Sequence, residues 1–188
     1  GQAECMGCAQ SRVLEKYNSL QVADKAPDIK RYLCRADTQS NYTAWNKWTE
    51  TNSIVIRRGI LQGGATICTV RTSEGEDGNS KFQVIGLSED KVASDDRVVD
   101  GRHQIGVMGD DGDGAAWFDP AGKFNASPVY KATVHLGPNG WLMHEVRSSN
   151  GLLVAKGLSK RSLESLKLTC AKNADVGVVV ALIGRLLS

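Results

Sequence analysis

No stretch of this chain is both long and apolar enough to cross a bilayer as a helix. The longest apolar run, Val176 to Leu187, is interrupted by Arg185. Even Ala174 to Leu187 would span only about 21 Å as a helix, against about 30 Å of hydrocarbon. Neither sign of charge dominates. Twenty-three Lys and Arg face twenty-one Asp and Glu, a net +2, so no overall field marks nucleic acid as a partner and any basic site must be local. Cysteine is sparse and odd in number, five widely spaced residues in 188, which is not a disulfide framework and favours a reducing compartment. Cys5 and Cys8 form a single CxxC with no second pair, no neighbouring His pair and no preceding strand, which argues against zinc or thioredoxin chemistry. The three histidines, His103, His135 and His144, lie outside any HExxH, GxSxG, P-loop or dinucleotide signature, so no catalytic mechanism and no cofactor is expected. The first residues lack the charged-then-apolar pattern of a secretory signal.

Ordinary proportions of apolar (41%) and charged (23%) residues fit one globular domain. Residues 1–41 read as a leader followed by short helices. The first helix sets Val13, Leu14, Tyr17 and Leu20 at helical spacing, and Pro27 opens a second with Ile29, Tyr32 and Leu33 on one side. From residue 42 onward short β-type runs take over: Ser53 to Arg58, Ala65 to Arg71, Lys81 to Gly86, Arg97 to Val99 and His103 to Met108, then Tyr130 to Leu136, Trp141 to Arg147, Leu152 to Gly157 and Ser165 to Cys170. Gly137-Pro138-Asn139-Gly140 and Ser148-Ser149-Asn150-Gly151 between them are hairpin signals. Many short strands with regular turns predict a mainly β fold, a closed antiparallel barrel over residues 42–188. The apolar residues of 174–187 surround the helix axis instead of forming a stripe, so this helix is expected to be buried on every side. Asn173 and Asp175 supply capping chemistry.

The final third carries a resemblance. Gly151-Leu-Leu-Val-Ala-Lys-Gly157, then Ser165-Leu-Lys-Leu-Thr-Cys170, then Ala174-Asp-Val-Gly-Val-Val-Val-Ala-Leu-Ile183 resembles the end of LURP-one-related proteins, a family similar in fold to Tubby C-terminal domains and phospholipid scramblases. The resemblance implies a barrel wrapped around a hydrophobic C-terminal helix. It also implies phospholipid or phosphoinositide binding, membrane tethering or scaffolding, with no catalytic residue to carry over.

Several features bear on attachment. Gly1 with Cys5 and Cys8 would form an acylation signal if Met preceded Gly1, a myristoyl chain needing a second lipid for firm anchoring. Lys156, Lys160, Arg161, Lys167 and Lys172 crowd the segment leading into the last helix, a candidate cradle for anionic phospholipid headgroups, with Arg57 and Arg58 as possible additions. The loop Gly109 to Gly114 is rich in Asp but lacks the glycine and glutamate of a calcium-binding EF-hand loop. Trp45, Trp48, Trp117 and Trp141 are expected chiefly in packing. Asn41 and Asn125 begin glycosylation-type sequons. The resulting expectation is a non-catalytic, peripheral membrane protein on the cytoplasmic face that binds lipid or acts as a scaffold. Two alternatives are a peripheral structural subunit of a larger membrane complex, organellar or photosynthetic after loss of a transit peptide, and an acylated pleckstrin-homology-like adaptor.

Overall fold

The computed structural model describes residues 6–30, 32–46, 53–59, 64–74, 80–86, 91–94, 97–100, 103–112, 114–118, 127–160 and 165–187. The chain begins with helix α1 (Met6–Ser19). Strands β1 (Ser40–Asn46), β2 (Ser53–Arg58), β3 (Thr66–Glu74), β4 (Ser80–Gly86), β5 (Lys91–Ser94) and β6 (Arg97–Asp100) follow. The second half holds β7 (His103–Asp111), β8 (Gly114–Phe118), β9 (Tyr130–Leu136), β10 (Trp141–Ser148), β11 (Leu153–Lys160), β12 (Ser165–Cys170) and helix α2 (Val176–Leu187). The architecture is mainly β, an antiparallel sheet with a C-terminal helix. Each strand pairs with its neighbour in sequence, and β1 also pairs with β12.

The alternation of side chains along a strand decides what faces the core. In β12 the odd-numbered Ser165, Lys167 and Thr169 are partly or fully exposed, while Leu166, Leu168 and Cys170 are buried. Register extends that division across the sheet. Leu168 lies opposite Tyr42 on β1 and Gly157 on β11, and Gly157 lies opposite His144 on β10. Gly157 suits this row because a Cβ there would stand 3.1 Å from Leu166 Cδ1.

Helix α2 fills the interior. Val176 and Val178 to Ile183 are at most 1% exposed, and α2 packs mainly on β9, β8, β4 and β3. Valine is a mediocre helix former because its branched Cβ restricts χ1. Burial reverses the balance, since each fully buried Val, Leu or Ile contributes about 1.5–3 kcal/mol. The helix starts at Val176, two residues later than its apolar pattern suggests, because Asp175 is its N-cap. One carboxylate oxygen of Asp175 accepts the Val178 N–H at 3.2 Å, and the Asp175 carbonyl accepts the Val179 N–H at 3.0 Å.

The helix expected after Pro27 does not form. Backbone groups in that segment serve other partners: Ala26 N–H bonds the Lys172 carbonyl, Ala36 N–H bonds the Ala174 carbonyl, and the Cys34 carbonyl accepts the Val176 N–H, each at 2.8 Å. Residues 20–30 and 32–39 are instead a strap laid against the turn between β12 and α2, bridging at Lys25 with Lys172 and at Arg35 with Asp175. The apolar residues assigned to that helix still work in the core, where Ile29 and Leu33 pack against the main cluster. A short 3-10 turn, Pro138–Gly140, joins β9 to β10 with Asn139 at φ 58°, a left-handed value Asn tolerates better than most residues.

Candidate functional site

The outward face of β11 and β12 carries the basic residues. Strand alternation puts Lys156, Leu158 and Lys160 on one side of β11, and register sets Leu158 opposite Lys167 and Lys156 opposite Thr169. Thus Lys156, Lys160 and Lys167 share one outer surface. Helix α1 lies over part of it, held by a small cluster of Tyr17, Met143 and Leu158 with Val13, Leu14 and Trp141 at its margin. That cluster is distinct from the main core. Gly137 lets the helix approach closely, since a Cβ there would come within 2.9 Å of Val13 Cγ2.

Between α1, the start of the strap and strands β1, β11 and β12 lies an open groove of about 620 Å³. Lys156 and Lys167 sit on its wall beside the polar side chains of Asn18, Gln21, Asn41 and Thr169. A second recess of about 270 Å³ adjoins it through Leu14, Leu158 and Lys167, and adds Trp141 and Lys160. Lys160 Nζ lies 4.8 Å from the centre of the Trp141 ring, so an aromatic face steadies the cation while leaving it in reach of solvent. Lys156 is more constrained. Its Nζ donates to the Tyr17 carbonyl at 2.8 Å and stands 4.4 Å from the Tyr17 ring centre. A cation on a carbonyl of the last helical turn also complements the negative end of the helix. Burial pulls the Lys156 ammonium below the usual lysine range and raises the Tyr17 phenol above its own.

The remaining candidates lie elsewhere. Lys172 is past the end of β12, in a separate depression of about 150 Å³ with Lys25, Asp28, Arg35 and Asp37, where carboxylates offset the positive charge. Arg57 is on β2, opposite Thr43, with β1 between it and β12. Gly1, Cys5, Arg161, Trp48 and Asn125 fall outside the described residues, while Cys8 falls within α1. Asn41 sits in β1 and accepts the Thr169 hydroxyl, and the Thr43 hydroxyl of the same sequon is buried on the Gly59 carbonyl at 2.8 Å. Trp117 is a core residue at 2% exposure. In the acidic turn, Asp111 pairs with Lys131 at 3.2 Å, and no cluster of metal-ligating side chains occurs among the described residues.

Two polar constellations go beyond the sequence reading, which has Asp175 only as a helix cap and His144 in no cluster. His144 and Ser159 are buried neighbours, Nε2 to Oγ 2.9 Å, with His144 Nδ1 unpartnered. Burial holds the imidazole down at about 4, so it is neutral at ordinary pH. Among the described residues, no acceptor orients Nδ1 as a hydrolytic triad requires. The second is Asp175, fully enclosed, whose carboxylate accepts backbone N–H groups of Leu33 (2.6 Å), Cys34 (3.2 Å), Val178 and Gly177. The Tyr130 hydroxyl accepts the Asp175 N–H at 3.2 Å. Burial raises this carboxyl to about 6, the backbone donors pulling the other way. Asp175 therefore ties the strap to the start of α2. No family model matches the chain, and neither does any curated protein or solved structure.

Proposed function

We propose that this chain is a non-catalytic, peripheral membrane protein that binds anionic phospholipid headgroups, its sheet closed as a Tubby-like barrel around α2. The observation that carries the binding reading is the convergence of Lys156, Lys160 and Lys167 on one outer face, beside the 620 Å³ groove and the adjoining recess that holds Trp141. Lysines near a membrane surface gain about 1 kcal/mol each from anionic lipid, and an interfacial tryptophan favours the headgroup level. Closure is supported by the pairing of β1 with β2 on one edge and β12 on the other, and by the enclosure of Val178 to Ile183. Acylation at Gly1, Cys5 or Cys8 would strengthen attachment on the cytoplasmic side.

Replacing Lys160 and Lys167 together by Gln is expected to weaken cosedimentation with phosphatidylserine-containing vesicles about 30-fold, from two cations at about 1 kcal/mol each. Neutral phosphatidylcholine vesicles should show no such difference, and added salt should shrink it. Unchanged binding would remove the lipid reading and favour the alternative of a structural subunit in a membrane complex, which predicts constant protein partners. Leu136, 73% exposed at the end of β9, is the apolar side chain such a partner would cover.

A further inference from the structure

We propose that α1 and an anionic headgroup compete for Lys156, so that lipid binding undocks α1 from the sheet. The inference rests on the headgroup reading above and adds a regulatory step to the same site. Lys156 is the most deeply placed cation of the groove, and both of its contacts are with α1: the Tyr17 carbonyl at 2.8 Å and the Tyr17 ring at 4.4 Å. A phosphate oxygen reaching Lys156 would replace a neutral carbonyl with an anion, a stronger acceptor for an ammonium. Helix α1 is suited to release. Its cluster of Tyr17, Met143 and Leu158 is small and separate from the core around α2, and segments with few buried apolar contacts open at low free energy. Its outward residues Arg12, Glu15 and Lys16 are exposed, so undocking uncovers one face only. Because Leu14 lines both the groove and the adjoining recess, movement of α1 would join the two and bring Lys156, Lys160 and Lys167 onto one continuous surface.

Competition has a signature that a merely structural contact lacks: loosening α1 should improve binding, because less of the protein is held in the occluded state. Cosedimentation of the full chain with phosphatidylcholine vesicles containing phosphatidylserine tests this. Tyr17→Ala, which removes the ring and its packing but leaves the backbone carbonyl, is expected to bind at least about two- to five-fold more tightly than the parent, the share of the lost cation–π contact alone. Leu14→Ala, which loosens α1 without touching Lys156, should shift binding in the same direction, whereas Lys156→Met should weaken it. Thermal unfolding confirms that each variant is folded. If the folded Tyr17 and Leu14 variants bind no better than the parent, α1 does not compete and the coupling is overturned. If the parent fails to sediment at all, the headgroup reading falls first. Glycerol phosphate in solution gives a further arm: suppression of vesicle binding with the same rank order of variants keeps the coupling and assigns the recognition to the phosphate. Glycerol phosphate binding that the Tyr17 and Leu14 variants leave unchanged would count against it.

Discussion

Replacing Asp175 with Ala is expected to lower stability by about 3–5 kcal/mol, the cost of unsatisfied buried donors together with loss of a helix cap. Four backbone N–H groups converge on that carboxylate, two from the strap and two from the first turn of α2, and all would lose their acceptor together. Thermal unfolding of a chain this size should register a fall of about 10 °C. The damage should be directional. Native-state hydrogen exchange is expected to rise first at Leu33 and Cys34, then through residues 20–39, with β9 to β11 protected until global unfolding. Asp175→Asn should be intermediate, since it keeps one acceptor oxygen but turns an amide donor toward N–H groups. A drop below about 1 kcal/mol for the Ala variant, the range of surface substitutions, would show that the strap is held by its other backbone bonds.

The second large effect concerns pH. Burial depresses His144 to about 4 from 6.5. The unfolded chain therefore takes up a proton below pH 6.5 that the folded chain refuses, and about 3 kcal/mol of stability is lost as pH falls from 6.5 to 4. Asp175 acts in the opposite sense. Its folded value of about 6 against 3.8 means the folded state binds the proton first, so about 3 kcal/mol of stability is gained as pH falls from 6 to 3.8. The two slopes nearly cancel in the parent. His144→Gln, which keeps a partner for Ser159 but does not titrate, should expose the Asp175 slope. This variant is expected to be about 3 kcal/mol more stable near pH 4 than near pH 6.5, relative to the parent's change over the same interval. Glu145, held below the usual carboxylate range despite opposing burial by Arg147 and His135, loses stability on acidification in both proteins and so drops out of the comparison. Denaturant melts at the two pH values measure it, and parallel profiles for parent and variant would show that His144 does not set the acid limb.

Much of the fold was legible because two simple periodicities carry it. The bounds of β2, β9 and β12 follow from their apolar alternation, and the all-round apolarity of Val176 to Leu187 marked the interior helix. Strand β8 was missed because Gly114-Ala-Ala-Trp-Phe118 places small residues where a strand signal expects branched ones. Strand β1 hid for a similar reason, its sequence Ser40 to Asn46 being rich in polar and turn-forming residues. The false helix after Pro27 shows tertiary bonding overriding local preference. Ile29, Tyr32 and Leu33 have helical spacing, but Asp175, more than 140 residues away, takes the Leu33 and Cys34 N–H groups. Of the basic cradle, charge density identified the lysines but not their separation. Only register reveals that Lys156, Lys160 and Lys167 share a face while Lys172 turns away. The Tyr17 contact with Lys156 joins residues 139 positions apart, beyond any local signal.

The order of synthesis gives the position of α2 a further meaning. All the strands emerge from the ribosome before the helix that their apolar faces pack against, so the nascent sheet has nothing to fold onto until Val176 to Leu187 has been made. Its edges and greasy inner surface stay open meanwhile, and the pairing of β1 with β12 joins residues about 125 positions apart, a separation of the kind that slows folding and prolongs exposure to aggregation.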